Sequence, residues 1–151
     1  MMPPPNNTKG TMSRITIDVL ERQAEAMGLK VLESDIPGTT CGLYCDRLNT
    51  IWLADWLNDR QRLCTLCHEL VHAKYRDLGC GTRFGVKCER RARRETALTL
   101  ISHVEFAMAE EVYGENAWMM AAELDVTMQV LTDYRQILSE RTRIIRSCGR
   151  L

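Results

Sequence analysis

A chain of 151 residues with twenty Lys plus Arg against twenty Asp plus Glu has no net field to draw it toward nucleic acid, an anionic membrane or an acidic substrate. No run approaches the ~20 apolar residues that span a bilayer, and MMPPPNNTKGTMSR lacks the apolar centre of a leader, so a cytoplasmic protein off the membrane is expected. Seven cysteines, an odd number without an export signal, read as free thiols and exclude a disulfide framework.

Residues 1–12, rich in Pro, Asn, Thr and Gly, cannot bury apolar area and are expected to form a disordered arm ahead of a single domain over 13–151. From Ser13, Ile17, Leu20, Ala24 and Met27 recur at helical spacing until Gly28 stops the helix. Leu29–Leu32, Thr40–Cys45 and Thr50–Ala54, separated by Pro37-Gly38 and a polar corner at 46–49, predict a small antiparallel sheet of about three strands. Asn58 or Asp59 then caps a helix running to Arg76 whose apolar positions include Leu63, Leu66, Leu70 and Val71. Glycine-rich 77–87 is expected to be a loop, and helical patterns resume at Glu89–Ile101, His103–Tyr113, Asn116–Leu124 and Thr127 to about Arg146. The order of helix, small sheet and helical majority is an α+β layout, with the C-terminal helical portion at about 103–146.

The chemistry concentrates in "CTLCHELVH", residues 64–72, where two metal signatures share His68. Read from Cys64 it is C-x-x-C-H, the haem-attachment pattern, which needs an export route that this sequence does not offer. Read from His68 it is H-E-x-x-H in mid-helix. His68 and His72, one turn apart on one face, can then chelate one ion, and Glu69 beside them can take a proton from the attacking water. Only three histidines occur in the chain, and two stand at this spacing. A catalytic zinc commonly takes three protein ligands, and spacing alone leaves Glu89, Asp77, Cys80, Glu95 and His103 in competition for the third. Cys64 and Cys67 are expected to be small buried hydrophobes.

The stretches TLCHELVHAKYRD, CERRARRETALTLIS and AAELDVTMQVLTDYRQIL resemble the ImmA/IrrE family of small zinc metallopeptidases over roughly residues 50–140. The resemblance implies a mostly helical zincin-like domain, Zn2+ as cofactor, and Glu89 of an E-x-x-A motif as the third ligand with His68 and His72. It also implies a partner: a helix-turn-helix transcriptional repressor of a phage or mobile element, cut to relieve repression. Arg93 stands where that family carries Asn or Asp, a residue that steadies a zinc-bound His, so either another acidic residue such as Glu95 takes that task or the activity is weakened, which is a reason to keep a purely binding role in view. The alternatives are an antirepressor of the same fold that acts by contact alone, and a SprT-like protease, for which Cys80 would replace a His. AAELDVTMQVLTDYRQIL also has a helix-turn-helix look, but its second helix carries no Lys or Arg before Arg135, and direct nucleic-acid binding is not expected. The strand Thr50–Ala54 is the candidate for pairing with an extended substrate. His103, Tyr75 and Tyr113 are candidates for stabilising the transition state.

Overall fold

The computed structural model describes residues 14–78 and 83–149. The proposed arm and residues 79–82 of the glycine-rich stretch, Cys80 among them, lie outside these. Among the described residues are six helices and three strands: α1 (Ile17–Ala26), β1 (Lys30–Ser34), β2 (Gly42–Cys45), β3 (Thr50–Ala54), α2 (Asp59–Tyr75), α3 (Arg83–Leu100), α4 (His103–Tyr113), α5 (Ala117–Leu124) and α6 (Met128–Cys148). The architecture is α+β, with the H-E-x-x-H segment in the middle of α2, as the sequence leads one to expect. No helix among these is long and apolar enough to cross a membrane.

The sheet departs from expectation in one respect: it is mixed, with order β1-β3-β2. β2 and β3 form an antiparallel hairpin that turns at Asn49, whose φ of 46° lies in the left-handed region that asparagine tolerates. β1 and β3 pair in parallel, Lys30 against Thr50 through Ser34 against Ala54. Two chain reversals between them return β3 to the direction of β1, and burial then decides the order. β3 has Thr50, Ile51, Leu53 and Ala54 all buried, so it takes the centre, while the more exposed β1 and β2 take the edges. The central place of β3 overturns its candidacy for pairing with substrate, because both of its edges are already bonded. Of the two edge strands, β2 is the one that lies against Thr65 and Glu69 of α2.

α2 is fixed at both ends by its sequence. The Asn58 side chain accepts from the Gln61 N–H, and the Gln61 side chain accepts from the Asn58 N–H, a reciprocal cap. At the other end Arg76 turns left-handed (φ 52°, ψ 45°) and its guanidinium bonds Asp46 of the hairpin turn at 2.9 and 3.2 Å. Between its ends α2 serves two cores. Leu63, Leu66, Cys67 and Leu70 pack with Leu20 of α1 and with Ile51 and Leu53 of β3. On another side Cys64 joins a cluster built from α3 to α6, which includes Ala97, Phe106, Met120, Leu131 and Tyr134. The result is a helix apolar on most faces, interrupted where His68 and Glu69 border a cleft.

β2 reaches α2 closely only because residue 42 is glycine. A Cβ there would lie 2.6 Å from Thr65 Cγ2, 3.2 Å from Glu69 Cγ and 3.2 Å from the Trp52 carbonyl oxygen. Replacing Gly42 by Ala gains about 0.5–1 kcal/mol by restricting the unfolded chain. Overpacking costs about 1–3 kcal/mol and wins, because one of the three neighbours is backbone. Gly42→Ala is therefore expected to lower the melting temperature and to move Glu69; a protein melting above the parent would contradict this close approach.

Candidate metal centre

His68 and His72 are four residues apart on α2, and their Nε2 atoms lie 3.2 Å from each other, with ring centroids 4.8 Å apart and planes at 77°. Glu89 comes from α3, which packs along α2. Its Oε1 is 2.8 Å from His68 Nε2 and its Oε2 3.2 Å from His72 Nε2. α3 begins at Arg83 rather than Glu89, so Glu89 projects from the second turn of a helix already packed, not from its first residue. Ala92, fully buried, lies one turn on and permits the close approach of the two helices. The three residues form a group whose ligand atoms all lie within 4.8 Å of one another. Two imidazole nitrogens and a carboxylate are the donor set of a catalytic zinc, and ligands about 2.1 Å from an ion in a tetrahedron stand about 3.4 Å apart, close to the separations observed. These residues fit the metal.

The nitrogen of His72 that faces away from this group is held as well. Asp77, just past the left-handed Arg76, folds back so that its backbone N–H bonds the His72 carbonyl at 3.0 Å and its Oδ2 sits 2.8 Å from His72 Nδ1. That bond keeps the proton on Nδ1 and leaves Nε2 free to ligate. Asp77 Oδ1 in turn accepts from Arg91 Nη2 at 2.6 Å, and the Arg91 guanidinium lies 3.7 Å over the Tyr75 ring. Asp77 thus does turn back along the chain, onto the far nitrogen of a ligand. Glu95, the sequence candidate for steadying a histidine, bonds Tyr75 and Lys74 instead. Arg93 is occupied elsewhere, in a two-point pair with Asp133.

Electrostatics follow from this geometry. Burial works to lower the His72 imidazolium, but the hydrogen bonds it donates to Glu89 and Asp77 outweigh it and raise its pKa from 6.5 to about 9. The hydrogen bond from His68, then that from His72, holds the Glu89 carboxyl far below the ordinary carboxylate range. Burial would raise Asp77, but bonds from His72, Cys88 and Arg91 keep it low. Glu69 is 8% exposed, and burial raises its pKa against the pull of His68 and His72; the Tyr44 backbone N–H of β2 is its hydrogen-bonding neighbour.

A pH dependence of metal uptake follows. Below about pH 9 the metal-free His72 holds a proton that must leave before Nε2 can ligate. Zinc affinity should therefore climb about tenfold per pH unit between pH 7.5 and 9 and flatten above. Chelator competition across that range checks it, and a flat profile would contradict the protonated His72.

Other candidates fall away from this centre. Cys64 and Cys67 are 6% and 3% exposed, and burial raises both thiols, Cys67 to about 12, so neither offers a thiolate to a metal or a free thiol to haem. His103 starts α4 outside the cluster, Tyr113 bonds Glu123, and Tyr75 is held by Glu95. Thr127 and Val130, at the start of the supposed recognition helix, line the cavity beside the centre. Sequence reasoning had Asp77 only as a competing ligand and missed its place on the far nitrogen of His72, along with Arg91 and Gly42. An acidic residue directly after the cap of the H-E-x-x-H helix was the available signal for the first.

No curated protein and no solved structure matches the sequence. The Peptidase_M78 family, described as the IrrE N-terminal-like domain, matches residues 24–133, a span that contains α2, α3 and every residue of the centre. The chain belongs to this family of ImmA/IrrE-type metallopeptidases.

Proposed function

We propose that this protein is a zinc-dependent endopeptidase that cuts a helix-turn-helix repressor of a phage or mobile element, in the bacterial cytosol, and so relieves repression. The observation that carries the peptidase reading is the grouping of His68, His72 and Glu89 beside a buried Glu69 at the mouth of a cleft. Held by those three residues, zinc supplies Lewis acidity toward a peptide carbonyl and lowers the pKa of water. Glu69 takes the proton of the attacking water on its carboxylate and passes it to the departing amine nitrogen. Its buried position, which favours the protonated form, suits a group that must hold the proton between those events. Asp77, anchored by Arg91, keeps His72 in its ligating tautomer, which removes the reason Arg93 gave for a purely binding role.

The edge of β2 supports the way a substrate backbone would lie. Cys41 accepts from the Ala54 N–H on the β3 side, and alternate residues of an antiparallel strand turn their groups the other way. Gly42 therefore presents its N–H and C=O, and Tyr44 its C=O, to the open edge beside Glu69, where an extended chain can pair, the Tyr44 N–H being directed at Glu69. The repressor half of the proposal rests on the resemblance to ImmA/IrrE peptidases. Incubating the zinc-loaded protein with the repressor encoded beside it should give two fragments from a single site, and chelation should stop the reaction. An intact repressor after incubation with fully loaded protein would remove the proposal.

A further inference from the structure

α6 outlasts the core that it packs on. Its last buried residue is Ile137, and every residue from Ser139 to Cys148 is exposed, about 15 Å of helix beyond either core. The apolar stripe does not stop where the core does. Leu131, Tyr134 and Ile137 are its buried part, Leu138 is partly buried, and Ile144, Ile145 and Cys148 continue it at helical spacing in the open, Ile145 being 72% exposed. A single charge, Arg141, stands within the continued stripe, while Arg143 and Arg146 fall on the opposite side of the helix.

A second uncovered stripe lies on α4. Phe106 and Ala109 face the core, while Val104, Met108 and Val112, each more than half exposed, recur every four residues on the outer face. Glu111 stands within this stripe as Arg141 does within the other. Trp118, 76% exposed, follows at the start of α5 in the same helical hairpin. The surroundings are opposite in sign: from Glu95 to Tyr134 the chain holds eight acidic residues and no Lys or Arg, whereas 141–149 holds three Arg and no acid. Glu105 and Asp125 pair with Arg14 and Arg60. Glu110, Glu111 and Glu115 are exposed and, like Arg141, Arg143 and Arg146, make no ion pair among the described residues. Single exposed apolar residues are ordinary, but two helical stripes of matching length and opposite charge are not. Nor can one cover the other within a chain, because Tyr134 of α6 already touches Phe106 on the inner face of α4 and the open stripe faces away.

We propose that a second copy of this chain covers both stripes: the end of α6 from one protomer lies along the outer face of α4 in its partner, and the exchange is returned, which closes a two-fold dimer. Ile144 and Ile145 then pack against Val104, Met108 and Val112 of the partner subunit, and Arg141 meets Glu111 of the partner subunit. Each copy carries both halves, so reciprocity leaves neither stripe open, whereas a one-way contact would leave one of each exposed and grow without end. None of these residues belongs to the metal centre or lines the cavities beside it.

Sedimentation equilibrium of the zinc-loaded full chain tests this. The parent should pass between one and two copies with a dissociation constant on the order of micromolar, rising with salt. Arg141→Glu and Glu111→Arg each set like charges opposite one another twice per dimer and should each weaken it about 100-fold, at unchanged zinc content and melting temperature. An equimolar mixture of the two variants should recover the parent constant, because every α6 end then meets the opposite charge on its partner. The double variant, reversed at both positions in one chain, should recover it alone. A protein that is monomeric at every concentration, a dimer that either single variant leaves intact, assembly beyond two copies, or a mixture no tighter than its parts overturns the proposal. A monomer that instead cosediments with vesicles of anionic lipid overturns it as well and assigns the end of α6 to a membrane surface.

Discussion

Glu69→Gln is expected to abolish cleavage while leaving one zinc ion bound. Glu69 lies outside the group whose ligand atoms converge, so its replacement subtracts no ligand. What it removes is the carboxylate that moves the proton, a contribution of about 10²–10⁴-fold in rate, or ~3–5 kcal/mol on the barrier. Stability should move in the opposite direction. Burial raises the Glu69 carboxyl above its ordinary value, so at neutral pH the folded protein bears the cost of a carboxylate that water would hold better in the unfolded chain. That cost is present above the ordinary pKa and fades as pH falls, and Gln does not carry it. A Glu69→Gln protein that melts at or above the parent temperature, binds zinc and cuts nothing is the combined expectation. One that still relieves repression in full would move the protein to the antirepressor class that acts by contact.

Asp77→Ala should weaken zinc binding about 10- to 100-fold, the usual effect of removing the partner of a ligating histidine. The cause is local: Asp77 Oδ2 holds His72 Nδ1 at 2.8 Å, and without it the ring is free to rotate and to place its proton on either nitrogen. The same change removes one of the bonds that raise the His72 pKa, so the pH above which zinc uptake levels off should fall below 9. Arg93→Asn supplies the contrast. It restores the residue that the ImmA/IrrE resemblance expects, yet His72 already has its partner, so zinc affinity should stay within about twofold. Equilibrium dialysis of both variants against zinc decides between them. If Arg93→Asn raised zinc affinity well beyond twofold while Asp77→Ala left it unchanged, the orienting role would belong to position 93.

The parts of this structure that are legible in the sequence are those whose causes are local. α2 announces itself by its Asn58 cap, its apolar positions and the paired histidines, and those histidines with Glu69 lie where the motif places them. Glu89 was one of five candidates on spacing and became the third ligand only through the family resemblance, because the approach of α3 to α2 is a tertiary fact. The early start of α3 was hidden for a similar reason. Gly85 weakens a helix by about 1 kcal/mol in isolation, a cost that packing on α2 and α6 offsets. Strand direction was not legible, since alternation of apolar residues is the same whichever way a strand runs. Asp77 depends on a left-handed arginine that propensity does not favour, and which Asp46, from another part of the chain, secures.

The service of α2 to two cores has a consequence for how this protein can diverge. Almost every position in the middle of that helix is committed, either to chemistry at His68, Glu69 and His72 or to packing on one side or the other. A relative adapting to a new target has little freedom there without losing the ion or the fold. The freedom lies in the borrowed walls of the cleft: the edge of β2, the face of α3 around Arg93 and Thr96, and the opening turns of α6. Diversification of targets should therefore be written in those three segments, while the helix that does the chemistry stays almost unchanged.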